Sequence, residues 1–190
     1  MPADLPQPTY GAEIDGKRLA VFDDLLPSAA LERLTAAMYK SGFTRNEVAR
    51  PDVAAFRHWA CEIPGDALAQ LPVWEPTRRA LARFAPGRDY RPYRSYVNAN
   101  FYGDMLFTHT DCLPGSDELT ALWYVCTAWD HEWGGETLFF DSRNDARAVV
   151  SPRPGRLAIF NGNLTHAGRP PSRICVEPRF TLALKLQAPG

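Results

Sequence analysis

The chain has 190 residues and a mass of 21.2 kDa, the size of one ordinary domain, which buries roughly 70% of its unfolded surface and folds without staples. Hydrophobic residues make up 45% of it, charged residues 23% and aromatic residues 12%, a soluble globular composition that excludes collagen, coiled coil and long disorder. With 21 basic against 22 acidic residues and a net charge of −1, there is no global electrostatic case for nucleic acid or an anionic membrane as main partner.

No stretch approaches the roughly 18 apolar residues of a membrane span, and the opening MPADLPQP has neither the basic nor the apolar region of a secretory signal. Cys61, Cys112, Cys126 and Cys175 are scattered with no C-x-x-C, a spacing that fits neither a zinc knot nor a disulfide framework. A reduced, cytoplasmic chain is the expectation. Seventeen prolines and 13 glycines make it turn-rich and unlike a helical bundle.

Residues 1–17 are polar and proline-rich and read as a loose lead-in. Residues 18–22 (RLAVF) predict a short strand. Ser28 is placed to cap a helix carrying Leu31, Leu34, Ala37 and Met38 at helical spacing, stopped by Gly42. A second helix is predicted over 74–85, with Trp74, Leu81 and Phe84 on one face and Arg78, Arg79 and Arg83 elsewhere. It reads as a support for a sheet, with a solvated basic side. From Pro92 onward the pattern turns to short strands, at 93–102, 105–110, 120–128, 137–140, 147–150, 156–160 and 180–186. Pro114-Gly115, Gly134-Gly135, Pro154-Gly155 and Asn161-Gly162 fall in the breaks between them. The fold class is therefore α+β, mainly β, a sandwich or barrel in one domain. Residues 1–90 supply helical support and a substrate region; 91–187 form the β core.

Four histidines carry the chemical interest: His58, His109, His131 and His166. His109 and Asp111 lie two apart in an apparent strand (FTHTD, 107–111), so both can face one cation. His166 follows PGRLAIF (154–160) and the turn NGN, just past a strand, where a side chain can enter a barrel mouth. Two imidazoles and one carboxylate on one face form the triad of non-haem Fe(II) oxygenases. Three coordination positions stay open: a chelating 2-oxo acid takes two and dioxygen the third. Arg179 and Thr181 open the last strand on a shared face, a guanidinium suited to a carboxylate with a hydroxyl beside it. Iron with one aspartate carries a charge of +1 and a 2-oxo diacid brings −2, so Arg179 would balance the distal carboxylate. Arg169 or Arg173, in the loop between His166 and Arg179, are the alternative partners.

The ordered set of H-x-D (109–111), GGETL (134–138), PGRLAIF, His166 and RFT (179–181) resembles the 2-oxoglutarate/Fe(II)-dependent dioxygenases, nearest the prolyl-4-hydroxylase-like branch. The resemblance covers residues 93–187, about half of the chain. It implies a double-stranded β-helix (jelly-roll) core with helices on one face, and His109, Asp111 and His166 as iron ligands. It implies Arg179 at the distal 2-oxoglutarate carboxylate with Thr181 assisting. Tyr102, on the strand before H-x-D, and Tyr124, on the strand after it, would face the co-substrate; both equally suit a core. Fe(II), 2-oxoglutarate and dioxygen are the implied cofactors, with ascorbate in support and succinate and carbon dioxide as products. Asp111 argues against the halogenating relatives, which lack this carboxylate.

The expected reaction is hydroxylation of a C–H bond in a small molecule or amino-acid-like substrate. The alternatives are a protein or peptide hydroxylase, or a cupin-like metal enzyme or binding module without 2-oxoglutarate. Arg94, Asn98 and Asn100 share a strand face, either in a pocket near the metal or at an exposed edge. His58 is read as structural, with a pocket role as the rival; His131 is read as surface, and the cysteines as apolar fillers, Cys112 being open to oxidation. There is no G-x-S-x-G, P-loop or G-x-G-x-x-G, so nucleophilic hydrolysis and nucleotide binding are unsupported.

Overall fold

The computed structural model describes residues 5–189. Eleven strands are present among them: β1 Tyr10–Ile14, β2 Lys17–Phe22, β3 Thr44–Glu47, β4 His58–Glu62, β5 Arg91–Asn100, β6 Glu118–Tyr124, β7 Thr137–Phe140, β8 Ala146–Val150, β9 Leu157–Asn161, β10 His166–Gly168 and β11 Arg179–Gln187. Every pairing is antiparallel. Eight strands form a large sheet in the order β1-β2-β9-β6-β11-β5-β4-β3, and a small sheet runs β10-β7-β8. This is the expected jelly-roll arrangement with supporting helices: α1 Ser28–Tyr39, α2 Gly65–Leu68 and α3 Trp74–Phe84.

Period-2 alternation separates two jobs on the large sheet. Phe180, Leu182, Leu184 and Leu186 of β11 join the core that holds Leu34 and Met38 of α1 and Ala80, Leu81 and Phe84 of α3. Arg179, Thr181, Ala183 and Lys185 face a cleft on the other side. β11 is thus buried on both faces, apolar on the core side and mostly polar on the cleft side. A second core of Leu19, Val21, Tyr124, Phe139, Val150, Phe160 and Leu164 fills the space between the sheets. Trp123, fully buried, ties β6 to α3 by donating its indole N–H to Thr77 Oγ1 at 2.9 Å.

The structure departs from the sequence expectations in four places. Residues 10–14 are a strand, not a lead-in, while residues 1–4 lie outside the described region. Asp15 and Gly16 both take positive φ (50° and 72°), the two-residue Asp-Gly turn that closes a β1–β2 hairpin. The first 90 residues also give four strands to the large sheet, two at each edge, so they are more than helical support. Residues 105–110 do not form a strand: the chain from 101 to 117 is irregular except for a bridge between His109 and His166. Finally, Pro27 holds the N-cap position of α1 with no side-chain cap, and Ser28 is the first helical residue. No helix among the described residues is long and apolar enough to cross a membrane.

Replacing Trp123 by Ala is expected to cost about 3–5 kcal/mol, from cavity formation in a well-packed core. Trp123→Phe, which keeps a ring but abandons Thr77, should cost roughly 1–2 kcal/mol beyond its small volume loss. Urea denaturation of the two variants checks both values.

Candidate active site

The irregular segment before β6 is tied down by its backbone. His109 and His166 exchange N–H···O hydrogen bonds, each 2.9 Å, and Asp111 N–H donates to Gly162 O at 2.7 Å. This places both rings on one side of the pair, with centroids 4.4 Å apart. His109 Nε2 lies 3.4 Å from Asp111 Oδ1, and His166 Nε2 lies 3.7 Å from Asp111 Oδ2. The three ligand atoms all lie within 4.8 Å of one another, close enough to hold one metal ion. Both Nδ1 atoms sit against local carbonyls, His109 at 3.0 Å from Phe107 O and His166 at 2.9 Å from Leu164 O. An N–H on each Nδ1 leaves Nε2 as the free donor atom toward a metal.

Burial pushes the His166 imidazole down to about 4, against the attraction of Asp111, so the ring is neutral and available as a ligand. For Asp111, burial alone would raise the carboxyl, but Lys185, His166 and His109 together hold it well below the usual carboxylate range. Both ligands are therefore in their metal-binding forms near neutral pH.

At the far end of the cleft Arg179 is only 3% exposed. Its Nε donates to Gly135 O at 2.5 Å and its Nη2 to Thr137 Oγ1 at 2.9 Å. Tyr124 donates to Val150 O at 2.9 Å, so the 2.7 Å contact between Thr137 and Tyr124 has the threonine hydroxyl as donor. The chain of donors runs from Arg179 to Thr137 to Tyr124 to the backbone. Among the described residues no carboxylate lies within ion-pair distance of Arg179, although burial presses its charge downward. A buried, oriented guanidinium without an anion is a site for one. Gly168 flanks it closely: a Cβ there would lie 3.5 Å from Nη1.

The cavity within the cleft is about 70 Å³. Asn98 and Asn100 of β5 sit in register with Thr181 and Arg179 of β11, and Asn98 Oδ1, Asn100 Nδ2 and His58 Nδ1 are buried without a hydrogen-bond partner. Such orphans are costly unless a ligand meets them. Val48, Ala49, Leu106 and Phe107 line the mouth, and the segment over it is latched where Arg50 Nη1 donates to Thr108 O and Phe56 packs on Phe107.

His109, Asp111, His166, Arg179 and Thr181 thus converge on one cleft. Tyr102 does not: β5 ends at Asn100, the chain turns at Gly103 with φ 91°, and Tyr102 stands 63% exposed outside the cleft. Asn100 takes the inward position expected of it. Tyr124 is fully buried behind Arg179, its ring 5.3 Å from the guanidinium carbon and its hydroxyl spent on the backbone, so it holds the arginine instead of facing a ligand. Arg169 and Arg173 are exposed. Arg94 pairs with Glu47 and Glu62, whereas His58 lines the cleft, against the structural reading. His131 is exposed at the surface as expected. Three contributors were not anticipated. Gly135 and Thr137, which orient Arg179, lie in the GGETL motif, where their signal was present; Lys185, beside Asp111, looked like one more residue of the last strand.

Residues 97–184 match the family model of the 2OG-Fe(II) oxygenase superfamily, the class of 2-oxoglutarate-dependent dioxygenases. Its fold is similar to those of solved prolyl-4-hydroxylases and of other 2OG-Fe(II) oxygenases. A Pseudomonas putida prolyl-4-hydroxylase superposes with a TM-score of 0.66 at 19% identity, covering 90% of this chain and 93% of that one. A Trichoplax adhaerens prolyl hydroxylase, solved with a hypoxia inducible factor peptide fragment, gives 0.64 at 19% identity over 89% and 83%. EctD from S. alaskensis, solved with bound Fe, gives 0.60 at 17% identity over 90% and 72%. No curated protein sequence matches the chain. Fe(II), 2-oxoglutarate and dioxygen are the cofactors of this enzyme class, and the histidine–aspartate cluster and unpaired Arg179 suit the first two.

A Cβ at Gly135, whose φ is 79°, would lie 3.0 Å from Trp129 and 3.1 Å from Arg179 Cδ. Gly135→Ala is therefore expected to tilt Arg179 and weaken 2-oxoglutarate binding about tenfold, or about 1.4 kcal/mol. Cobalt(II) binding should not change. Calorimetric titration of each ligand separates the two effects.

Proposed function

We propose that the protein hydroxylates a C–H bond of a small, amino-acid-like molecule, using His109, Asp111 and His166 to hold iron and Arg179 with Thr181 to hold 2-oxoglutarate. The carrying observation is the cluster of two histidines and a carboxylate in one cleft with a buried guanidinium that, among the described residues, has no carboxylate partner. Iron(II) with 2-oxoglutarate and dioxygen supplies the oxidising equivalent, with succinate and carbon dioxide released.

The side chains bind, orient and exclude water. Arg179, locked by Gly135 and Thr137, offers its remaining N–H groups to the distal carboxylate, and the orphaned Asn100 amide lies on the neighbouring strand with a donor to add. Thr181, 1% exposed, adds a hydroxyl on the same face. Arg179 adds a buried positive charge at the far end of the cleft, where it would offset the distal carboxylate of a 2-oxo diacid. His58 and Asn98 present buried acceptor or donor atoms that a polar substrate can satisfy. No side chain is needed as acid or base for removing hydrogen from carbon.

The latched mouth supports a small substrate over a protein one. Val48, Ala49, Leu106 and Phe107 line the cleft, and the Arg50–Thr108 and Phe56–Phe107 contacts tie together the two segments that carry them, leaving less room for a polypeptide than for a small molecule. The neighbouring prolyl hydroxylases make peptides the natural control.

The test is succinate release by protein supplied with Fe(II), ascorbate and 2-oxoglutarate, across free amino acids, small amides and proline-containing peptides. Substrate-stimulated succinate with the small molecules is expected; stimulation by peptides alone would reverse the substrate reading, and no succinate with any would overturn the whole. His109→Ala or Asp111→Ala should abolish stoichiometric metal binding, measured by metal analysis after anaerobic loading. Arg179→Gln should keep the metal and raise the KM for 2-oxoglutarate by about 10- to 100-fold, the loss of a charge-assisted pair.

A further inference from the structure

One buried cation in the cleft has no part in the chemistry so far. Lys185 lies six residues beyond Arg179 on the same inward face of β11, with its side chain 9% exposed. Its ammonium contacts Asp111 Oδ2. Thr120, the register partner of Lys185 on β6, donates its hydroxyl to that same oxygen at 2.5 Å. The Tyr96 ring closes the other side, 5.9 Å from Nζ. Burial opposes the lysine charge, yet Tyr96 and Asp111 hold the ammonium above the ordinary lysine range.

The two oxygens of Asp111 are therefore unequal. A carboxylate oxygen has two lone pairs, and on Oδ2 one is met by Lys185 and the other by Thr120. Oδ1 has only His109 Nε2 beside it, at 3.4 Å. We infer that Lys185, with Thr120, is a positioning residue that keeps Oδ2 occupied, so that Asp111 offers a bound divalent metal Oδ1 alone. The inference rests on the dioxygenase reading of the site and deepens it.

The consequence is a coordination number. Two imidazoles and one carboxylate oxygen take three positions of an octahedral ion. A 2-oxo acid needs two more through its carboxylate and keto oxygens, and dioxygen needs one. A carboxylate free to swing and use both oxygens would remove one of those three. The arrangement has an electrostatic cost, because an ammonium touching Asp111 repels a dication bound to the same group. Lys185 thus exchanges metal affinity for open positions, and a residue serving only as a structural ion pair would not produce that opposition.

The experiment uses cobalt(II) as an anaerobic probe, then 2-oxoglutarate added to the cobalt-loaded protein, for wild type, Lys185→Met, Lys185→Arg and Thr120→Val. Lys185→Met is expected to bind cobalt(II) at least as tightly as wild type, while its affinity for 2-oxoglutarate falls about tenfold and its visible cobalt spectrum changes. Lys185→Arg should restore both. Thr120→Val should move 2-oxoglutarate affinity the same way by about threefold, and it decides the matter if Lys185→Met proves unfolded by circular dichroism. Unchanged 2-oxoglutarate affinity in the folded variants, or parallel loss of cobalt and 2-oxoglutarate, would overturn the inference. Wild-type protein that binds cobalt but never 2-oxoglutarate would instead overturn the dioxygenase reading beneath it.

Discussion

The reciprocal backbone hydrogen bonds between His109 and His166 are the constraint on which the site depends. They are the one ladder contact made by a stretch of chain that is otherwise irregular from 101 to 117. In an antiparallel pair of this kind the two side chains emerge on the same side, and a slip of one residue would send one ring to the opposite face. A second tie, from Asp111 N–H to Gly162 O, fixes the next inward residue. Gly162 has to be small for this: a Cβ there would lie 2.9 Å from Cys112 Sγ and 3.3 Å from Glu118 O. The triad is thus a property of register and close approach.

β11 supplies the second organising element. It pairs with β5 on one side and β6 on the other, so its inward residues are flanked by side chains from both. Arg179 and Lys185, at opposite ends of that face, are the two buried cations of the cleft. Their surroundings differ in a way that matters. Lys185 is neutralised by Asp111, as buried charges normally must be. Arg179 has hydroxyl and carbonyl partners but no acid, so its desolvation is only partly offset until an anion arrives. One cation has its counter-charge within the protein; among the described residues the other does not.

The triad and Arg179 were legible as spacings: an H-x-D pair, a histidine just past an apolar strand and an arginine opening the last strand, although the strand assumed for H-x-D is only the single bridge to His166. The errors arose where tertiary geometry overrides spacing. Tyr102 shares strand parity with Asn98 and Asn100, and nothing local shows that β5 stops at Asn100 and turns. The fold as a class was also legible from turn residues and alternation, but the Asp15-Gly16 hairpin went unread because its first strand is mostly polar and exposed. Lys185 was hidden for a different reason. A lysine in a strand ordinarily faces solvent, and only the cross-strand pairing with Thr120 and the approach of Asp111 reveal it as part of the site.

The contribution of the first 90 residues explains how a shared core can acquire its own substrate. The metal ligands and Arg179 all come from residues after 100, whereas β3, β4 and the segment between them bring Glu47, Val48, Ala49 and His58 to the cleft. Glu47 is held there by Arg94, which packs over Tyr96 at 4.1 Å. These groups sit at the edge of the large sheet, farthest from the β9–β6–β11 centre. Changes there cost little in core packing, because the outer face of β3 is exposed and makes no contribution to either apolar cluster. The histidine–aspartate cluster and Arg179 therefore stand against the most buried strands, while Glu47, Val48, Ala49 and His58 reach the cleft from an edge that carries little of the core.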